Sequence, residues 1–310
     1  MLDGKKVLIT GLTGQVGQVI ARVHAPRCEM WGLARYTRTG SREETEAMGV
    51  KPVYGDVALG NFDDLPDDFD YVIHCAAVTK PGTAETGMAQ NAEGPGLLLH
   101  HCRKAKAFLH VSTTVCYTDN PDPFHRYTET DHLGSDYPRA PNYSSSKVGG
   151  EAVVRTLARI HKVPVTIARL NVPYGRTEDG GMPGAHLDAL VEGREILLPA
   201  RFCSHSPFHE DDLAGHIEPL LGAASVPATV VNWGGDTGVL VVDWLNYMAE
   251  LIGVRPNIRF LDEKILPSYI LDPTRGREIG MTWTIPWKEG MRRMIVERYP
   301  DIAARRGVTA

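Results

Sequence analysis

Paired cysteines are missing from this chain. Its five, Cys28, Cys75, Cys102, Cys116 and Cys203, are odd in number and lack the close spacing of a zinc site or a disulfide framework, so reduced thiols are expected. An excess of positive charge is missing too: 33 basic residues stand against 38 acidic ones, which leaves no signature of a nucleic-acid or anionic-membrane surface. No apolar run approaches a membrane span, and the N-terminus enters a strand without a signal-peptide pattern. These absences point to a cytoplasmic protein with neither a nucleic-acid nor a membrane partner. Internal repeats and low-complexity tracts are also lacking. What remains is 310 residues of ordinary globular composition, enough for one large α/β domain and a smaller lobe.

The chain is organised around residues 5–17. An apolar run, Val7 to Ile9, ends in Gly11, Gly14 and Gly17, and the helical pattern Val16, Val19, Ile20, Val23 begins inside that glycine spacing. This predicts strand, tight turn and helix. Glycine allows positive φ and close backbone approach, and a helix N-terminus offers free N–H groups to a phosphate. Gly11, Thr13, Gly14, Gln15 and Val16 are therefore the candidate cradle of a dinucleotide. Further strands are read at 28–34, 51–54, 70–75, 107–112 and 165–169. Helices lie between them, one running from the fourth strand to about residue 106 and another over 143–161. That alternation implies an α/β fold, a Rossmann-type doubly wound parallel sheet. Beyond Asn171 the pattern is less regular, with helices suggested at 184–192, 211–221, 243–252 and 286–297. A smaller C-terminal substrate-binding lobe is placed there. The expected division gives residues 1–170 and about 207–236 to the dinucleotide-binding domain, and about 171–206 and 237–310 to the lobe.

In an open α/β sheet the ligand crosses the carboxyl ends of the strands. An acidic residue ending the second strand would hold the ribose hydroxyls of NAD, but Ala34 stands there, followed by Arg35 and Arg38. Arginine suits the extra phosphate of NADP; the competing reading is two solvated loop residues, which leaves NAD open. Asp56 suits the adenine edge, and the small Ala76 and Ala77 let the dinucleotide pass close. Tyr143 and Lys147, four apart on one helix, project toward one site. There an ammonium beside a phenol stabilises the phenolate and lowers its pKa, which serves proton transfer. Thr113, ending the fifth strand, supplies a hydroxyl to orient a substrate oxygen.

Together these stretches resemble the extended short-chain dehydrogenase/reductases, the NAD-dependent epimerase/dehydratase family. The likeness covers most of the chain: residues 10–17, Gly55-Asp56-Val57, His74-Cys75-Ala76-Ala77, Asn91, Ser112-Thr113, residues 141–147 with Glu151, Arg169, Tyr174-Gly175, residues 208–212 and 232–235. It implies that Tyr143 is the general acid-base, Lys147 its partner and Thr113 the hydroxyl donor. It adds Val57, Cys75 and Asn91, with Tyr143 and Lys147, to the cofactor contacts, and it implies a homodimer built on helices around 90–106 and 143–161. The departures narrow the chemistry. Thr114 and Val115 stand where dehydratases carry an Asp-Glu pair, which argues against dehydration. Val172 and His205 stand where nucleotide-sugar enzymes place a diphosphate-binding Asn and Arg. Neither grips a phosphate well, which leaves its charges to water or to arginines such as Arg201 or Arg275.

Thr79, Thr113, Val172, His186 and His205 are the candidate substrate contacts, although a surface position suits His186 as well. Cys203, His205, His209 and Asp211 tempt as metal ligands, but the family turn accounts for His209 and Asp211, and no metal is expected. Cys116 reads as a buried thiol. The expectation is an NADP(H)-preferring oxidoreductase that interconverts a secondary alcohol and a ketone on a small molecule. A nucleotide-sugar epimerase with tightly bound NAD(P) is the alternative, and a non-catalytic dinucleotide sensor the third.

Overall fold

Val7 and Ile9 pack into one hydrophobic layer and Leu8, between them, into another, so the first strand is buried on both faces. The structure, a computed structural model, describes residues 1–134, 137, 140–177, 180–200, 202–263 and 266–310. Its main sheet has seven strands: β1 (Lys6–Thr10), β2 (Glu29–Ala34), β3 (Lys51–Tyr54), β4 (Tyr71–His74), β5 (Ala107–Thr113), β6 (Val165–Leu170) and β7 (Thr229–Trp233). They lie in the order β7-β6-β5-β4-β1-β2-β3, and every pairing is parallel. The chain leaves β1 for β2 on one side and returns to β4 on the other. That reversal opens a crevice at the carboxyl ends of β1 and β4. The doubly wound fold is the one expected, but β7 was not among the strands read from the sequence. Thr229 and Val230 are only half-buried on this edge strand, so its apolar run is short.

One face of the sheet is covered by α1 (Gln15–His24) and by two short C-terminal helices, with Val19, Ile20, Leu213 and Leu220 in the shared core. The other carries α4 (Gly94–His101) and α5 (Pro141–His161) through Leu98, Leu99, Val154 and Ala158. In chain order, α2 (Ser41–Ala47) and α3 (Ala84–Met88) come before these two. A separate core gathers Tyr174, Leu187, Trp244, Met248 and Met291 from α6 (Gly181–Glu192), α9 (Val241–Ile252) and the helix Trp287–Arg298. Among the described residues no helix is long and apolar enough to cross a membrane.

Two expected helices are broken. The one after β4 is α3, a π turn over Ala89–Glu93, then α4, and it ends at His101. The helix read over 211–221 is α7 (Glu210–Gly215) and α8 (Ile217–Gly222). Both breaks lie four residues before a proline, Pro95 or Pro219, whose missing N–H leaves the carbonyl of Asn91 or Gly215 without its ladder partner.

Helix α5 starts with Pro141 at its first position, where a missing N–H costs nothing, and ends at Lys162 with φ of 59°. Its inner face, Ser144, Lys147, Glu151, Val154 and Ala158, follows the helical repeat but is polar over its first half. Glu151 is held there by Arg169 of β6: Nε donates to Oε1 at 2.9 Å and one terminal nitrogen to Oε2 at 2.7 Å. Both side chains are at most 3% exposed. Ser112 Oγ donates a third bond to Glu151, at 2.6 Å. The other terminal nitrogen of Arg169 reaches the Tyr117 hydroxyl at 3.1 Å and the Glu129 carbonyl at 3.0 Å. Truncating one partner strands the other's charge in the interior. Glu151→Ala should therefore cost about 3–5 kcal/mol in chemical denaturation, and Glu151→Gln, which keeps part of the hydrogen bonding, clearly less. Equal losses would show that the charge of Glu151, and not the hydrogen bonding that Gln retains, is what holds α5.

Candidate functional site

A cleft of about 210 Å³ lies along the carboxyl ends of β1, β2 and β4. Gly11, Thr13, Gly14, Arg35, Asp56, Val57, Cys75, Ala76 and Ala77 line it, so nine of the expected cofactor residues meet at one surface. Gly11 has φ of 74°, and a Cβ there would stand 2.7 Å from the Ala76 amide nitrogen, which explains why only glycine lets the two loops meet. No side chain caps the N-terminus of α1, whose first residues are Gln15 and Val16. Its leading amides remain for an anion. A glycine cradle beside an uncapped helix start fits the diphosphate of a dinucleotide.

At the end of the cleft beyond β3, Asp56 Oδ1 accepts from the Ala58 amide at 3.0 Å and from Gln90 Nε2 at 3.2 Å. Arg35, half exposed, stands 3.7 Å from the other Asp56 oxygen. Sequence reasoning missed Gln90, although it lies one residue before Asn91 and shares the cleft. Arg38 and Asn91 are placed elsewhere. Arg38 grips Glu44 with two guanidinium nitrogens, away from the cleft lining. Asn91 is wholly buried: its amide accepts from the Val78 N–H at 2.8 Å and donates to the Val78 carbonyl and to Ser146 Oγ, both at 3.0 Å. It pins the loop after β4 to α5.

The catalytic candidates come together at the end of β5. The Thr113 hydroxyl accepts from the Val115 amide at 3.3 Å and lies near enough to the Tyr143 phenol to draw its pKa down. Lys147, buried one turn on, donates from Nζ to the Val111 carbonyl at 2.7 Å. The expected lowering of the phenol pKa does not occur. Burial, with a further push from Cys116, raises it, while the Lys147 Nζ is turned to the Val111 carbonyl. Burial lowers Lys147 itself. It also pushes the thiols of Cys75 and Cys116 up to about 12, so neither is an activated nucleophile. Thr114 Oγ1 accepts from Asn171 at 2.9 Å, and Val115 packs on Tyr117, Tyr127 and Tyr269, so these two positions offer no carboxylate chemistry.

The substrate candidates are spread out. Thr79 is exposed on the loop after β4. Val172 is buried and its carbonyl accepts from the Phe208 amide at 3.1 Å. His186 is half-buried rather than on the surface, and its Nδ1 accepts from the Trp244 indole at 2.9 Å. His205 is 3% exposed, packs on Trp244 and Tyr269, and burial holds it down at about 3, a neutral ring. Arg275 is committed to the Val230 carbonyl at 2.8 Å and to Glu129, and Arg201 lies outside the described residues. His209 accepts the Asp211 amide through Nδ1, a helix cap, and among the described residues no group of three His, Cys, Asp or Glu side chains is arranged to hold a metal.

Burial lowers six histidines, His24, His74, His110, His205, His209 and His216. Below about pH 6.5 the unfolded chain takes up protons that the folded rings refuse, so stability present at neutral pH is lost as pH falls. The melting temperature should therefore drop steadily from about pH 7 to about pH 5, before most carboxylates titrate. A flat profile over that window would mean that these rings charge freely in the fold.

Residues 7–201 match the family model described as the NAD-dependent epimerase/dehydratase family. A trifunctional UDP-glucose 4,6-dehydratase/UDP-4-keto-6-deoxy-D-glucose 3,5-epimerase/UDP-4-keto-L-rhamnose-reductase of Arabidopsis thaliana is 26% identical over 93% of this chain and 46% of its own length. The chain thus spans about half the length of such curated relatives. Among solved structures, the UDP-glucose 4-epimerase of Thermus thermophilus in complex with NAD superposes with a TM-score of 0.80 at 22% identity, over 95% of this chain and 99% of that one. A UDP-glucuronic acid 4-epimerase of Bacillus cereus gives 0.81 at 17% identity, with the same coverage.

Proposed function

The chain belongs to the NAD-dependent epimerase/dehydratase family, and from that premise we propose that it is an NADP(H)-preferring oxidoreductase interconverting a secondary alcohol and a ketone on a small molecule. The observation that carries this reading is Lys147, buried one turn after Tyr143 on α5 with its Nζ on the Val111 carbonyl, so that Tyr143 and Lys147 stand beside Thr113 at the end of β5. A nicotinamide dinucleotide, when bound, supplies or accepts the hydride. The glycine turn and the α1 amides hold its diphosphate, Asp56 the adenine edge, and Arg35 the 2′-phosphate. Thr113 orients the substrate oxygen, and Tyr143 moves the proton at that oxygen. A phenol kept protonated by burial is the form that gives its proton to a carbonyl oxygen under reduction. Lys147 places its ammonium at the floor of the site for the ribose of the cofactor. The segments 171–206 and 237–310 form the substrate lobe. Exposed Leu97 and Ile160 on α4 and α5 form the face for a homodimer.

The second reading, a nucleotide-sugar epimerase, is favoured by the relatives and structural neighbours, whose names carry UDP-sugars. Against it stand buried Val172 and neutral His205 where a diphosphate would need an amide and a guanidinium. Net consumption of NADPH separates the readings, since an epimerase returns the hydride to its substrate.

Tyr143→Phe should lower kcat by about 10²- to 10⁴-fold while cofactor affinity stays nearly unchanged, because only the transferable proton is lost. A variant keeping more than about a tenth of the wild-type rate removes Tyr143 from the chemistry. Arg35→Ala should weaken NADP by about 1.5–3 kcal/mol in calorimetry and leave NAD almost untouched. Equal losses for both cofactors overturn the NADP assignment.

A further inference from the structure

Among the described residues only two that are not glycine have positive φ, Tyr36 at 46° and Lys162 at 59°. Lys162 closes α5, where a left-handed residue is common. Tyr36 closes no helix. An aromatic side chain rarely adopts that backbone, and it persists only where the surroundings hold it there. Here the residue's own ring supplies the hold. The side chain folds back along β2, and its hydroxyl donates to the Gly32 carbonyl at 2.7 Å. Burial pushes the phenol up to about 12, so it stays a donor at neutral pH. A Cβ on Gly32 would stand 3.3 Å from that hydroxyl and 2.0 Å from Leu12 Cδ1, so glycine at this position leaves room both for Tyr36 and for the turn that cradles the diphosphate.

The turn at Tyr36 separates two arginines. Arg35, just before it, lines the cleft. Arg38, two residues after it, is gripped by Glu44 outside the lining, and its carbonyl accepts from the Ser41 amide at 3.1 Å and the Ser41 hydroxyl at 2.6 Å. Among the described residues the Arg35 guanidinium has one charged neighbour, Asp56 at 3.7 Å, beyond hydrogen-bond reach. Its N–H donors are left for a ligand, and its place is set by the backbone that carries it rather than by a hydrogen-bonded partner. A backbone already fixed in the free protein spares the ordering cost when the ligand arrives.

We propose that Tyr36 is a positioning residue for cofactor choice: by locking the left-handed turn onto Gly32 it holds Arg35 ready for the 2′-phosphate of NADP. The inference rests on the NADP reading above and deepens it, since it assigns part of the selectivity to a residue outside the cleft lining.

The test is a double-mutant cycle on the full chain, with NADP⁺ and NAD⁺ titrated separately in a calorimeter. Tyr36→Gly keeps the left-handed turn accessible and removes its anchor. It should weaken NADP⁺ about five- to thirtyfold, the scale of ordering one residue's backbone on each binding event, and leave NAD⁺ within about twofold. In the Arg35→Ala background the same change should move neither cofactor by more than about twofold, because Tyr36 acts through Arg35. Should Tyr36→Gly prove unfolded by circular dichroism, Tyr36→Phe takes its place: it keeps the ring, loses the bond to Gly32, and should weaken NADP⁺ about two- to tenfold with NAD⁺ unchanged. In a folded Tyr36 variant, equal losses for both cofactors, undiminished NADP⁺ affinity, or a loss that persists in the Arg35→Ala background would each overturn the proposal. An Arg35→Ala protein that binds NADP⁺ as tightly as the wild type removes the NADP reading and the inference with it, whereas a loss there with none in the Tyr36 variant removes the inference alone.

Discussion

The buried ion pair of Glu151 and Arg169 is the constraint on which the site depends. Neither charge can be tolerated alone in the interior, so the two fix the distance and rotation of α5 relative to β6. Tyr143 and Lys147 sit two and one turns before Glu151 on that helix, so their positions follow from it. The same guanidinium reaches Tyr117 and the Glu129 carbonyl, and the Tyr117 hydroxyl donates to Asn232 at 2.6 Å. Asn232 in turn takes the Glu129 carboxylate on its amide nitrogen and gives its side-chain NH₂ to the Tyr127 carbonyl, both at 2.8 Å. One polar network thus clamps α5, the edge strand β7 and the segment after Thr113.

Close backbone contact completes what the ion pair begins. A Cβ at Gly150 would collide with the Asn91 carbonyl oxygen, so α5 lies directly against the π turn that places Asn91 and Gln90. Through that contact α5, which carries Tyr143 and Lys147, and the cleft wall at Asp56 and Gln90 share one support. Gln90 reaches Asp56 from the front of the turn, and Asn91 reaches Ser146 of α5 from the back.

The glycine turn, the strand alternation and the Tyr143–Lys147 spacing were legible in the sequence because each is a local pattern with a local physical cause. The roles of Arg38 and Asn91 were not, since each is decided by a partner that spacing cannot reveal: Glu44 for the one, Val78 and Ser146 for the other. The phenol pKa was misjudged for a related reason. Helical spacing put Lys147 near Tyr143, but only the fold shows its ammonium turned to the Val111 carbonyl. The helix breaks are different: Pro95 and Pro219 stand in the sequence, but the apolar residues keep the helical period across both breaks. The strand β7 escaped because an edge strand needs little burial to pair.

The strand order has a consequence for how the chain is made. β1 emerges first yet occupies the middle of the sheet, where Val7 must wait for Tyr71 to arrive before its second edge is covered. At the far side, β6 stays open until Thr229 pairs with Thr166. A chain cut short after residue 200 would carry an unpaired, apolar β6 edge and a core lacking Val231 and Trp233. The sheet can therefore close only once residues 229–233 have been made, well after Thr113, Tyr143 and Lys147.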